Sequence, residues 1–216
     1  MELNKKFSDA DLERIKTAVR EAESKISGEI VPVIVARSGY YSIANYKGGL
    51  FGAAFAFLFV IVFDRFVPSM AVYDPLLIFV IVILVGILTA VAAHFSDTIK
   101  RMLIGQQHMD NATRQRAENA FLEEEVFNTR HRTGIMIFIS FFEHEVIVMA
   151  DRGISKVVDQ KEWDKMVNKL TEDIRKGKIV EGLEAALKRC GEILLERGFH
   201  KEADDENELS DDLRIN

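Results

Sequence analysis

The chain has 216 residues, of which 48% are hydrophobic, and carries a net charge of −6. Residues 201–216 hold seven acids against two bases, so the rest is near neutrality and offers no clustered basic face for nucleic acid. Its single cysteine, Cys190, excludes an intramolecular disulfide and a cysteine-based zinc cluster, and its place in a row with Leu187 and Leu194 reads as a buried small hydrophobe.

The first residues are polar and lack the apolar core of a secretory signal, so no cleavable leader is expected. Ser8 followed by Asp11 reads as a capping box, and Leu12, Ile15, Val19, Ala22 and Ile26 form one apolar helical face. Ser27–Ala36 then reads as a turn and a β-branched strand. Pro32 removes a ladder donor there, which predicts an edge or a bulge.

Two uncharged runs follow, Gly48–Phe63 and Leu76–Ala93. As helices rising roughly 1.5 Å per residue they reach about 24 and about 27 Å, close to a hydrocarbon core of about 30 Å. They are apolar all round, which predicts a transmembrane hairpin. The connection between them carries Arg65 as its only base, while Lys47, Lys100 and Arg101 flank the outer ends. The positive-inside rule therefore places both chain ends in the cytoplasm and the protein, multi-pass, in the inner (cytoplasmic) membrane. Gly48, Gly52 and Ala56 share one face, as do Gly86 and Ala90, so the two helices are expected to approach closely. No ionisable side chain lies within either run, which argues against a proton relay, channel or transporter.

Asp97 to about Phe127 is expected to form one long helix continuing the second span, with Ile99, Met102, Leu103, Ala117, Ala120 and Phe121 as its apolar set. Gly134–Phe141 and His144–Ala150 read as two strands joined by a tight turn at Phe141–His144, the first covered on both faces. Trp163, Met166, Val167, Leu170 and Ile174 mark a helix broken at Gly177, and Leu183 to Leu194 mark another that ends at Gly198. The predicted architecture is α/β, a small sheet sandwiched between helices and interrupted by the two-helix hairpin. Residues 1–46 form its first part, 47–95 the hairpin, 96–200 the remainder and 201–216 an acidic tail. The tail is expected to be solvated, with Leu209, Leu213 and Ile215 as a short docking motif.

An ordered set of local motifs adds to this pattern: SDADLERI, SGEI, RHRTGIMIFIS, EVIVMADRGI, Trp163 twelve positions after the Asp151 of DRG, EGLEAAL and DENELSD. Together they resemble the TPM-domain family in its bacterial membrane-bound branch. The resemblance implies a compact α/β/α sandwich carried by membrane-associated or exported proteins, with roles that differ among members and include acid phosphatase activity and calcium binding. Many relatives carry the domain outside the cytoplasm, whereas the charge pattern here places it inside.

Phosphate ester hydrolysis would need a nucleophile or metal-activated water, and positive charge to meet the developing oxyanions. Asp151 follows a strand end, beside Arg152 and Gly153, and Glu29 starts the first strand. With Asp159 these give three carboxylates, Glu29, Asp151 and Asp159, as candidate ligands of a hard cation, Ca²⁺ or Mg²⁺. Arg132 and Arg152 are the candidate phosphate clamps, with Asp151 at the centre of the site. If the two strands form a hairpin, Asp151 returns beside His131 and Arg132. The structural alternative is that Asp151 caps a turn, Arg152 pairs with it, and Glu29 is a solvated acid.

Histidine-phosphatase, Cys-x5-Arg and Asp-x-Asp patterns do not fit, and no Gly-x-Ser-x-Gly, Walker or dinucleotide motif is present. Two functions follow. One is a non-catalytic adaptor or assembly factor in the lipid bilayer, partnered by another membrane protein. The other is a weak metal-dependent phosphatase acting on phosphate monoesters.

Overall fold

The computed structural model describes residues 6–201 and 207–216. Contacts divide the chain into two units, Met1–Ser38 with Asp110–Asn216, and Gly39–Met109. In the first unit, helix α1 (Asp9–Glu23) starts at Ser8, whose hydroxyl accepts from the Asp11 amide while the Asp11 carboxylate accepts from the Ser8 amide. This reciprocal cap satisfies two amides that a helix start leaves unpaired, and Ile15, Val19 and Ala22 then turn inward as the periodicity requires.

Strands β1 (Glu29–Val35), β2 (Gly134–Ser140), β3 (Glu145–Ala150) and β4 (Arg214–Ile215) form one sheet in the order β3-β2-β1-β4. β1 and β2 run parallel from Glu29 opposite Gly134 to Val35 opposite Ser140, and β2 and β3 are antiparallel. Side chains alternate across the sheet. Ile30, Ile34, Ile135, Ile137 and Ile139 join a core with α1, α7 (Gln160–Arg175) and α8 (Ile179–Glu196). Val31, Val33, Val35, Met136 and Phe138 pack on the other face against Ala117 and Ala120 of α5 (Gln106–Glu123). Helices on both faces explain why β1 from Ile30 to Val35 and β2 from Gly134 to Ile139 are buried and apolar throughout, with the polar Glu29 and Ser140 at the strand ends, and the α/β sandwich read from the sequence is the fold of this unit.

The amide phase of β1 accounts for Pro32. The Glu29 amide donates to Thr133 O on the β2 side, and the Ala36 amide to Asn216 O on the opposite side. Pro32 is in phase with Ala36, so its missing N–H faces β4, which pairs only with Val33 and Ile34. β1 is thus interior along part of its length and an edge at Pro32.

Two expectations are corrected. The helix from Asp97 to Phe127 is broken: α3 (Pro75–Phe95) ends, Ser96 is extended and caps α4 (Asp97–Leu103), and Ile104 is extended again before α5. A serine that accepts from the Ile99 amide offers the chain a new helix start, which competes with continuation. The tail is also not solvated along its length. Arg214–Ile215 is the fourth strand, Leu213 and Ile215 pack on the first core, and Leu209 packs on the second. Asp211 is buried with Arg20 Nε at 2.6 Å, and Lys16 Nζ lies 2.7 Å from Asp212. The apolar residues of a supposed docking motif are therefore docked on their own chain. Residues 202–206 of that expectation lie outside the described residues.

In the second unit, α2 (Ile43–Phe66) and α3 (Pro75–Phe95) are long and apolar enough to cross a membrane, by length and composition. They pack as an antiparallel pair through small residues. A Cβ at Gly48 would lie 2.9 Å from that of Ala93, and one at Gly52 would overlap the Thr89 side chain. Only 11% of the apolar window of α2 and 6% of that of α3 are buried, so nearly all of their large side chains face outward.

Candidate functional site

The hairpin of β2 and β3 closes the polar collar. Phe141–His144 makes the turn, with His144 in the left-handed region at φ 57°, and Ile135 pairs with Ala150 at the open end. The Asp151 amide continues the ladder by donating to Gly134 O. This carries the Asp151 carboxylate to Arg132, whose Nε stands 2.8 Å from Oδ2. The base and acid at the two ends of the hairpin thus meet.

Glycines make that approach possible. A Cβ at Gly134 would overlap the Val126 carbonyl, and one at Gly153 would sit 2.5 Å from Arg132 O. Gly153 N donates to that same oxygen, binding the DRG turn to the RHRTG turn. Arg132 is in the left-handed region at φ 58°, and its guanidinium also lies over the Phe127 ring.

Asp151 is buried and precedes the short helix α6 (Arg152–Ser155), accepting from the Arg152 amide through Oδ1. Its Oδ2 contacts the Arg132 charge but receives no aligned N–H. That oxygen keeps a lone pair open to a further donor or a cation. The Arg152 side chain is exposed beside it.

Glu29 lies at the same end of the sheet, opposite Gly134. Its two carboxylate oxygens accept from the Glu208 and Leu209 amides at 3.2 and 3.4 Å. Asp159 is exposed and caps α7 by accepting from the Lys161 amide. The fold therefore joins Arg132 to Asp151 and places Glu29 at the same sheet end, but employs Asp159 elsewhere. Among the described residues no three His, Cys, Asp or Glu side chains stand close enough to hold a metal ion. Glu29, Asp151 and Asp159, read from the sequence as candidate ligands of a hard cation, are thus not drawn together as one group in this arrangement.

Two acidic sites escape the sequence reading. Glu23 is buried at the end of α1, and burial pushes its carboxyl up to about 8 even though the Ile30 amide donates to it at 2.7 Å. It lines a cavity of about 200 Å³ with Arg20, Glu29, Lys201 and Asn207. The signal was present, since Glu23 is four residues after Val19 on the apolar face. At the opposite sheet end, Glu143 is buried, accepts from the Ser38 amide and is held by the Ser140 hydroxyl. Nearby Glu145 is raised to about 7, first by burial and then by its hydrogen bond with Asp110.

Residues 96–193 match the family model described as the TPM domain. The fold is similar to the NMR structure of the BA42 protein from the psychrophilic bacterium Bizionia argentinensis, with a TM-score of 0.58 and 17% identity over 97% of this chain and 95% of that one. No curated protein sequence matches the chain.

Proposed function

We propose that this chain, which carries a TPM domain over residues 96–193, is a membrane-anchored adaptor or assembly factor that holds another membrane protein. Its sandwich would stand on the cytoplasmic side of the inner membrane, with both chain ends there. The observation that carries this reading is the bare apolar surface of α2 and α3, of which almost nothing is covered by the chain itself. A core helix of a water-soluble domain would be enclosed. Glu29 and Asp159 both accept from backbone amides, a structural use of these carboxylates that supports this reading.

A second reading, metal-dependent hydrolysis of phosphate monoesters, has one observation in its favour. Asp151 Oδ2 is buried without an aligned donor, beside Arg132 and Arg152. The test is turnover of a generic phosphate monoester by the purified protein in detergent, with Ca²⁺, Mg²⁺ or chelator, beside Asp151→Ala. The adaptor reading expects wild type and variant to be alike. Metal-dependent turnover that disappears in a variant of unchanged melting would overturn it in favour of the phosphatase.

A further inference from the structure

We propose that α4 is an interfacial helix that rests in the headgroup layer of an anionic phospholipid bilayer. The proposal rests on the membrane reading of α2 and α3 and extends it beyond the two spans. Its starting point is the outward face of α4. Met102 is 89% exposed and Ile99, one helical turn earlier, is exposed with it. Exposed apolar side chains standing singly are ordinary, but these two continue a larger surface. Phe95, the last residue of α3, is 83% exposed, and Tyr46 of α2 is exposed at the same end of the pair, where Asn45 meets His94 at 3.3 Å.

The inner face of α4 is tied to the hairpin, which orients the outer one. Lys100 is buried and donates to His94 O, and Lys47 Nζ donates to Leu103 O at the carboxyl end of α4. Leu103 reaches to within 3.4 Å of where a Cβ on Gly48 would stand. With that side occupied, Ile99 and Met102 are directed outward. Ammonium groups at helix carboxyl ends also offset the partial negative charge there.

Charge selects the lipid. Lys47, Lys100 and Arg101 stand at this end of the hairpin against one acid, Asp97, whereas the other end has Arg65 between Asp64 and Asp74. Lys47 is exposed and Arg101 half-buried, with long apolar stems that can lie along acyl chains while the charged heads remain among phosphates. An apolar face bounded by cations is the pattern that seats a helix at the boundary of headgroups and acyl chains. Aromatic Tyr46 falls at the level where amphipathic rings collect.

The test uses the full chain in vesicles with one environment-sensitive fluorophore, attached at Met102→Cys, at Leu84→Cys within α3, or at Lys188→Cys on α8. Cys190 is fully buried with its thiol pKa raised by burial, so labelling is confined to the introduced thiol. Quenching is read with iodide in water and with nitroxide lipids labelled near the headgroup or near the chain end. The expected result is deep quenching at Leu84, shallow lipid quenching at Met102, and iodide quenching alone at Lys188. Iodide quenching alone at Met102, with Leu84 still deep, would overturn the interfacial helix and leave the membrane anchor standing. Iodide access at Leu84 would overturn the anchor itself. Ile99→Cys repeats the reading should Met102→Cys disturb the fold. Shallow quenching at Met102 should be stronger in phosphatidylglycerol-rich than in phosphatidylcholine vesicles, and Lys47→Gln with Arg101→Gln should remove that difference. Equal quenching in both lipids would overturn the anionic selection.

Discussion

Phe138 of β2 and Phe59 of α2 are the same side chain in opposite settings. Phe138 is 0% exposed between the sheet and α5, with Ala117 and Ala120 small enough to admit it. Phe59 is 58% exposed and stacks on Phe55 and Phe63 of its own helix. The sandwich removes apolar surface from water by enclosing it between elements. The hairpin narrows its internal contact to glycine, alanine and threonine and turns its large residues outward. Hydrophobicity specifies that a side chain avoids water, and the neighbouring backbone decides what takes the place of water.

The sharpest way to break this contrast is to truncate both rings. Phe138→Ala is expected to cost about 3–5 kcal/mol in denaturant unfolding of the detergent-solubilised protein, and Phe59→Ala to stay within about 0.5 kcal/mol. Equal losses would mean that the outer face of α2 is enclosed after all.

A second test concerns the buried acid of the sandwich. Burial raises the Glu23 carboxyl from 4.5 to about 8, so between those values the folded chain keeps a proton that the unfolded chain has released. Its contribution is full below pH 4.5 and is lost as pH rises through about 8. Urea midpoints should fall across this window by an amount corresponding to on the order of a few kcal/mol, and Glu23→Gln should flatten that part of the profile. A profile identical in the variant would show that Glu23 is not held protonated.

The hairpin contact can be broken at Gly52. Gly52→Leu would overlap Thr89 and is expected to cost about 1–3 kcal/mol of helix pairing. Cysteines at Ala53 and Gly86 report on it, because a Cβ at Gly86 lies 3.2 Å from the Ala53 Cβ. Their disulfide should form readily in the parent and poorly with Gly52→Leu. A modest loss is expected at Asp159→Ala, which removes the α7 cap at a cost of about 1 kcal/mol. Calorimetry with Ca²⁺ and Mg²⁺ should read alike for parent and variant, whereas weaker binding in the variant would place Asp159 among the ligands.

Local patterns were legible wherever the deciding interaction lay nearby in the chain. The Ser8 and Asp11 cap, the apolar faces of α1, α7 and α8, and the turn between β2 and β3 are of this kind. The meeting of Arg132 and Asp151 was legible too, because an antiparallel hairpin returns its end to its beginning. Asp159 shows how a carboxylate before a helix also has a local use, with its amide partner two residues away. The acidic tail misled through composition, since its charges conceal Leu209, Leu213 and Ile215.

By itself, the sequence determined α1, the three longer strands, α7 and α8 in order, the two apolar runs and the hairpin collar, because each follows from side-chain period, length or a turn within a few residues. Tertiary structure alone decided that Arg214–Ile215 would complete the sheet and that Glu29 would be satisfied by amides 179 and 180 residues away. Those outcomes depend on parallel pairing across long loops. The chain's local preferences do not encode which distant backbone group will stand opposite, and only the packed sheet selects it.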